Sequence, residues 1–583
     1  MNTILKKFLI NLFNSAVPID KLKSPIRVIN VNTMWHKIVS LFFSAFCVFL
    51  FSSISEAAVI YVNQSARGSQ TGNSWASAYK NLQPAIDRAR AGDEIWVARG
   101  TYLPTRFLIA GETDPRSRTF ILKGGVAVYG GFAGNEVSRA GRNVENHPTV
   151  LSGDFRGNDP VTASRQTRTK ADNAYHVAVA IDQNREVVLD GLTLRGGNAN
   201  NLKYKTRGSL GSLPRNTSIH KYGGGLLVLN SNLKIRNCDI HSNTCSSGAG
   251  GAILNVSLGN RKVKYKFTVE DSIFSENLAA NGGDGGALAL GQDGSAQLST
   301  IIKRSAFVKN EATCATGRYY LDGGYGGAVD AGNSSAVFGS CIFQGNFANG
   351  ARLKDKEGNP GGIGGGISAQ EGAWVRIVNS LLIGNTSGRV GAAVNAESGA
   401  RLEIYFSTLS KNICTANTGW GSGAIGGWYN PFKPNFDKPN TLKGLGNIIY
   451  LNRTPNQGFK DLQIRWVGDN GGKGKIQTPP RTQLNFTVIP SGVLDNNSGT
   501  ILSGNPSFLD SQDPEGPDGQ FFSSDDGFQL SPGDVRAKNK VTAGVLPADF
   551  ADLDDDGNFT EALPVDISGA PMGSSPWNAG CYQ

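Results

Sequence analysis

Gly250-Gly251-Ala252-Ile253, Phe274-Ser275-Glu276-Asn277, Gly285-Gly286-Ala287-Leu288, Phe307-Val308-Lys309-Asn310, Gly326-Gly327-Ala328-Val329 and Phe343-Gln344-Gly345-Asn346 follow one another in strict alternation. The same two phrases continue outward in looser form. Opening clusters recur at Gly224-Gly225-Leu226-Leu227, Gly364-Gly365-Gly366-Ile367, Gly391-Ala392-Ala393-Val394 and Ser422-Gly423-Ala424-Ile425, and closing asparagines at Asn243, Asn385, Asn412 and Asn452. Measured from residues 227, 253, 288, 329, 367, 394 and 425, the steps are 26, 35, 41, 38, 27 and 31. A period of this size is the signature of a stacked repeat architecture.

Two-residue hairpin links between alternating strands are not the recurring element, which argues against sandwiches and propellers. A coil in which each strand pairs with its copy one winding away, about 4.8 Å along the axis, explains why like residues recur. Stacked asparagines then bond amide to amide, since each carries donors and an acceptor. Glycine clusters fit bends where a left-handed backbone or a close neighbour excludes Cβ. Ile240, Phe274, Phe307, Phe343, Leu382, Leu409 and Ile449, each three residues before its asparagine, form an inward ladder. The fold expected is a right-handed, single-stranded parallel β-helix of all-β class.

With 75 Gly, 3 Met and 18% charged residues in 583, the composition is that of a strand-and-turn repeat protein, so length measures repeat number. Residues 1–57 read as a signal peptide, with Lys37 before an apolar run at 38–51 and Ser55-Glu56-Ala57 at the cleavage point; Met34 is an alternative start. Secretion or surface display follows, with no integral membrane span in the mature chain. Removing residues 1–57 takes six basic and two acidic side chains from the net +10, leaving +6. That mild excess suits acidic polysaccharides as well as an ordinary solvated surface, and no nucleic-acid motif is present. Six of the seven cysteines lie beyond the signal without metal spacing, as buried stackers with one or two disulfides open to them after export.

Residues 58–118 read as an N-terminal cap with the first coils. Leu82, Ala85, Ile86 and Ala89 keep helical spacing before Gly92. Residues 119–455 form the β-helix, where Asn198 is placed in the slot of the later asparagines. Residues 456–583 hold C-terminal coils and an acidic tail. Turn-rich stretches at 200–222, 313–325, 351–363 and 429–442 leave the stack as loops.

The Gly-Gly-Ala-(Ile/Leu/Val) and Phe-x-x-Asn phrases resemble the paired repeats of the polymorphic outer membrane protein family, which implies surface display and adhesion. That family's C-terminal membrane barrel finds no match in Ala579-Gly580-Cys581-Tyr582-Gln583, so autotransport is not expected. Tyr61-Val62-Asn63, Gly92-Asp93-Glu94-Ile95-Trp96-Val97 and Leu189-Asp190-Gly191-Leu192-Thr193-Leu194 resemble secreted bacterial β-helix proteins of the pectin-lyase-like superfamily, over nearly everything after residue 57. This second resemblance implies the fold more than an activity.

No Gly-His-Gly segment of the polygalacturonase type occurs, and the five histidines are scattered, which weakens inverting hydrolysis and leaves no catalytic residue assigned. A lyase acting on an acidic glycan needs a base and a cation. Basic residues for binding a polyanion are Arg195, Lys203, Lys205, Arg207, Arg215 and Lys221. Aromatic faces for sugar stacking are Tyr319, Tyr320, Trp420, Trp428 and Tyr429. In the tail, Asp552, Asp554 and Asp556 alternate before Gly557 as oxygen-ligand Ca²⁺ loops do, with Leu563 where an EF-hand has Glu, pointing to a structural Ca²⁺. A second acidic segment holds Asp513, Glu515, Asp518, Asp525 and Asp526.

Three functions fit this reading. The first is an adhesin-like protein binding polysaccharides or cell-surface glycans, the second a polysaccharide lyase or hydrolase acting on an acidic glycan, and the third a structural surface component.

Overall fold

The winding is seen most simply between residues 226 and 280 of the computed structural model. Leu226–Leu229, Leu233–Arg236, Asp239–His241 and Thr244–Ser246 make one four-sided coil; Ile253–Ser257, Lys264–Glu270, Ile273–Ser275 and Leu278–Ala280 make the next. Each strand pairs in parallel with its copy in the following coil. The four sides are numbered here in that order. Sides 1 to 4 carry 11, 12, 12 and 8 strands among the described residues. Twelve strands at about 4.8 Å give a stack roughly 50 Å long. The chain is a parallel β-helix. The structure describes residues 57–159, 169–202, 218–259, 263–292, 297–314, 324–354, 360–416, 421–429, 440–454, 464–468, 481–489, 497–523, 525–542 and 546–583. Of the stretch 1–57 that the sequence reads as a signal peptide, residues 1–56 lie outside them. Among them no helix is long and apolar enough to cross a membrane.

The corner between sides 3 and 4 holds an asparagine ladder. The side-chain amides of Asn243, Asn277, Asn310, Asn346, Asn385 and Asn412 each donate to the Oδ1 of the asparagine one coil on, ending at Asn452, over 2.7–3.2 Å. The same oxygen also accepts the backbone N–H of the donor residue, as Asn277 N does toward Asn310 Oδ1 at 3.1 Å. A second amide hydrogen reaches back a coil, from Asn310 Nδ2 to the carbonyl of Phe274 at 2.9 Å. Every buried polar atom of the column is thereby used. The residue before each asparagine takes the left-handed conformation, for example Ser242, Glu276 and Lys309 at φ 55°, 51° and 54°.

Two readings of register change by one residue. Asn198 pairs with Thr244, and it is Gly197 whose N–H meets Asn243 Oδ1 at 3.0 Å. The left-handed residue there is Gly196, so the bend falls one position earlier than the asparagine suggests. Leu226, not Leu227, pairs with Ile253, which makes that coil 27 residues. The glycine pairs have a steric cause: Gly285 sits at φ 65°, and a Cβ on Gly286 would meet the Gly327 carbonyl oxygen at 2.1 Å.

The core is one continuous stack. Phe274, Phe307 and Phe343 are fully buried, with ring centroids 4.9 and 4.8 Å apart and planes within 9°. The coil spacing sets that distance. A second polar ladder, unseen in the sequence, runs along the corner between sides 2 and 3, where Cys238 N bonds Ser272 Oγ, Ser272 N bonds Ser305 Oγ and Cys341 N bonds Ser380 Oγ. Burial pushes the Cys238 and Cys341 thiols up to about 12, so neither supplies a thiolate. All six cysteines of the described chain are free thiols, because the stack separates them or turns them inward. The helix Leu82–Arg88 buries Leu82, Ala85 and Ile86 in the same core.

In the C-terminal part the coils continue through Ile464–Gly468 and Arg481–Asn485 before the tail begins. The last side-3 strand is Ile501–Leu502, and the chain then runs back along the outside of the rod. Gly580 N bonds the Gly446 carbonyl, Cys581 N bonds Thr408 Oγ1, Asn379 Nδ2 reaches Val565 and Lys303 reaches Asp552 and Asp555. Phe528, Ile567, Cys581 and Tyr582 cover Ala306, Ile342, Leu381 and Ile383 of side 3. Ala551, Leu553 and Leu563 cover Val337 and Val378 of side 2. Asp526, from the second acidic segment, is buried and accepts the Tyr582 hydroxyl.

Asn310→Ala is expected to lower stability by about 2–5 kcal/mol, because Asn277 loses the acceptor of two donors and Phe274 the donor to its carbonyl. Phe307→Ala is expected to cost about 3–5 kcal/mol through the cavity it leaves. Urea unfolding measures both; a loss under about 1 kcal/mol for Asn310→Ala contradicts the ladder's role.

Candidate active site on side 1

Side 1 changes character along the rod. Its outward row begins with Leu227, Leu254 and Ala289, which Leu108 and Ile219 cover. The row then continues Asp330, Ser368 and Asn395, each pairing with the next. Gln370 and Glu397 stand two residues further on their own strands, Ile367–Gln370 and Val394–Glu397. An outward strand position has no need of a buried acid, so this polar run calls for a cause other than packing.

Asp284 and Tyr325 join it from the corner between sides 4 and 1, where each precedes a left-handed glycine, Gly285 and Gly326. Tyr325 N donates to Asp284 Oδ1 at 3.0 Å, and Gln370 Nε2 donates to Asp330 Oδ1 at 2.6 Å. Asp284, Tyr325, Asp330 and Gln370 are partly exposed; Ser368, Asn395 and Glu397 are buried behind them. The Ser368 hydroxyl and both ends of the Asn395 amide have no protein partner among the described residues. Leaving such groups unmatched costs on the order of 1–3 kcal/mol each, so they are suited to a ligand or water.

Burial pushes Asp284 up to about 7. Burial likewise raises Asp330 well above the carboxylate range, helped by the negative charges of Asp284, Glu397 and Glu371 and opposed by the Gln370 hydrogen bond. Burial and the charges of Glu397 and Asp284 hold the Tyr325 phenol protonated. Near neutral pH the group therefore contains one carboxyl, Asp330, that keeps its proton beside another, Asp284, that is partly ionised. That is the arrangement acid–base catalysis requires.

A second polar cluster lies in the earlier coils. His176 and His220, far apart in sequence, meet with Nε2 and Nδ1 3.0 Å apart, both buried. His176 Nδ1 lies 3.0 Å from the Gly223 carbonyl, so Nδ1 carries the proton and Nε2 accepts from His220. Burial depresses His176 to about 3. Arg116 packs over the Tyr175 ring at 4.3 Å and donates to the Asn198 carbonyl, while the Tyr175 hydroxyl donates to Asp114 Oδ2 at 2.7 Å. These contacts tie the Ile219 segment to the rod. The histidines are scattered in sequence, and the winding of the chain brings His176 and His220 together.

Of the sequence candidates, Lys203, Lys205, Arg207, Arg215, Tyr319, Tyr320 and Trp420 lie outside the described residues. Arg195 ends a side-3 strand opposite His241, and Lys221 sits over the Tyr222 ring at 4.9 Å. Arg195 on side 3 and the acid row on side 1 belong to different faces. Trp428 and Tyr429 belong to the side-1 strand Ile425–Tyr429, in which Trp428 pairs with Glu397. None of Asp284, Tyr325, Asp330, Ser368, Asn395 or Glu397 was singled out in the sequence. The available signal was a charge at the second position of a side-1 strand, in Val329-Asp330, where neighbouring coils carry Leu254 and Ala289.

No family model matches the chain, that of the polymorphic outer membrane protein repeats included. No curated protein matches it in sequence. Among solved structures it is similar to the pectate lyase Pel9A, at 12% identity and a TM-score of 0.44 over 91% of this chain and 98% of that one. It is also similar to a family 28 exopolygalacturonase of Yersinia enterocolitica, at 12% identity and a TM-score of 0.25 over 76% and 75%. At this level of overlap the fold and the chemistry rest on this chain's own strands and side chains.

The two buried titrations have opposite signs. A carboxyl raised to about 7 when folded penalises the native state as pH rises from about 4 through 7, with a slope approaching 1.4 kcal/mol per pH unit. Asp284→Asn is therefore expected to melt above the wild type at pH 8 and to converge with it below pH 4. His176, neutral when folded, takes stability away as pH falls from about 6.5 toward 3. His176→Gln should flatten that limb. Calorimetry across pH 3.5–8.5 checks both, and parallel curves for Asp284→Asn and wild type contradict the raised carboxyl.

Proposed function

We propose that this chain is an exported polysaccharide-cleaving enzyme that works by acid–base catalysis on the outer face of side 1. The observation that carries the reading is the row Asp330, Ser368, Asn395 and Glu397, facing outward yet largely shielded, with one acid held protonated and two polar groups unmatched. In a hydrolytic step Asp330 gives its proton to the leaving glycosidic oxygen. A second carboxyl group, Asp284 or Glu397, acting in its carboxylate form, takes a proton from the attacking water. The glycosidic bond breaks, a bond from water oxygen to the anomeric carbon forms, and the two carboxyl groups end with exchanged protonation. Gln370 orients Asp330. Polysaccharide as substrate follows from an elongated outer face lying along a straight rod, and from the Trp428 strand beside Glu397.

The test incubates the protein with a panel of neutral and uronate-containing polysaccharides, with and without Ca²⁺, following both new reducing ends and the absorbance of unsaturated ends. Reducing ends without unsaturation are expected, with Asp330→Asn lowering kcat by about 10²–10⁴ while binding persists. Unsaturated ends would convert the assignment to a lyase. Glycan binding without any product would overturn cleavage and return the adhesin-like reading.

A further inference from the structure

The tail segment 549–561 forms a closed loop. Ala548 and Ala562 bridge in antiparallel fashion, Asp549 N donates to the Glu561 carbonyl at 2.9 Å, and Leu563 N to the Pro547 carbonyl at 2.9 Å. Asp549, Asp552, Asp554, Asp555, Asp556 and Glu561 all fall on this loop. Asp555 turns to the rod, where Lys303 and Arg304 take its carboxylate, and Asp552 Oδ2 lies 3.7 Å from the same Lys303 Nζ. Asp549, Asp554, Asp556 and Glu561 have no such cation among the described residues. One carboxylate oxygen each from Asp549, Asp554 and Glu561 lie within 4.8 Å of one another, and so do those of Asp552, Asp554 and Asp556.

Acidic residues collected on a surface turn prove nothing by themselves. Asp549 is different: it is fully buried, its Oδ2 accepts Leu553 N at 2.6 Å, and its Oδ1 has no partner. Glu561 Oε1 is likewise enclosed and without a partner. A buried carboxylate oxygen left unmatched beside two further carboxylates is a costly arrangement unless a cation completes it. Oxygens that share an ion at about 2.4 Å lie no more than about 4.8 Å apart, which is the separation found.

We propose that the loop 549–561 binds a Ca²⁺ ion through Asp549, Asp554 and Glu561, with Asp552 and Asp556 completing the shell. The set is all oxygen, carries neither His nor Cys, and has more carboxylates than Mg²⁺ accepts with its tightly held waters. Asp549 and Glu561, which the alternating-aspartate motif does not include, make the site. The ion's consequence is mechanical. Ala551 and Leu553 inside the loop pack on Val337 and Val378 of side 2, and a Cβ on Gly339 would meet Ala551 Cβ at 2.5 Å. A filled loop therefore fastens the returning tail across the rod, on a different face from the acid row of side 1.

The test titrates the chelator-treated full chain with Ca²⁺ or Mg²⁺ by calorimetry and follows melting and tail proteolysis in parallel. One Ca²⁺ per chain is expected, with Kd between about 10⁻⁶ and 10⁻³ M, a raised Tm and slower cleavage within 503–583. Asp554→Asn with Glu561→Gln should weaken binding at least 10-fold and remove the Tm rise. The exposed Asp556→Asn, which leaves the buried Asp549 undisturbed, should weaken it by a smaller factor. Absence of Ca²⁺ binding by the wild type, unchanged affinity in the double variant, or equal affinity for Mg²⁺ would each overturn the assignment.

Discussion

Everything in this molecule depends on coils lying in register, and the asparagine column at the corner of sides 3 and 4 is where that register is fixed. A one-residue slip in any coil would turn its inward row outward and break two bonds to the neighbouring amide oxygen at once. Apolar stacking alone tolerates sliding, since one phenyl face resembles the next. Hydrogen bonds of about 3 Å do not. The left-handed residue ahead of each asparagine places the amide on the column axis, and the loss of that residue's preferred conformation is offset by satisfying a buried N–H and a buried carbonyl together.

A register held from within leaves the outward positions free. Side 1 uses this freedom twice. Its first coils face outward with Leu227 and Leu254 and are roofed by Leu108 and Ile219, whereas its middle coils present Asp330, Ser368, Asn395 and Glu397. Sides 2 and 3 are covered instead by the returning tail. In the order of the winding, the tail's corner lies across the section from the corner that carries Asp284 and Tyr325. The rod thus has a fastened back and a front that carries the acid row. Asp284 and Asp330 cost stability at neutral pH because the scaffold keeps them from full hydration, and the many satisfied coils absorb that loss.

The tail shows how far a local motif can carry. Asp552, Asp554 and Asp556 announce hard-cation chemistry by spacing, yet the residue with the strongest need for a cation is Asp549, buried beneath them. Asp555, in the middle of the run, serves the opposite purpose as partner to Lys303 and Arg304. One stretch of five residues therefore contains both carboxylates that face into the loop and one that turns to the rod, and only the direction of the backbone separates them.

Sequence by itself determined the stacked architecture, the inward ladder from Ile240 to Ile449 and the corner asparagines, because those residues interact with copies of themselves and repetition is visible in one dimension. It misplaced Asn198 and Leu227 by one residue, since the bend that sets register is a backbone conformation which glycine, serine, glutamate and lysine all adopt here. Tertiary structure alone decided that His176 meets His220, that Asp284 and Tyr325 join Asp330 and Glu397, and that the tail returns along sides 2 and 3. Those contacts join unlike residues that occur once each, so no periodicity marks them. Their chemistry arises from the loss of water around them, which belongs to the folded chain.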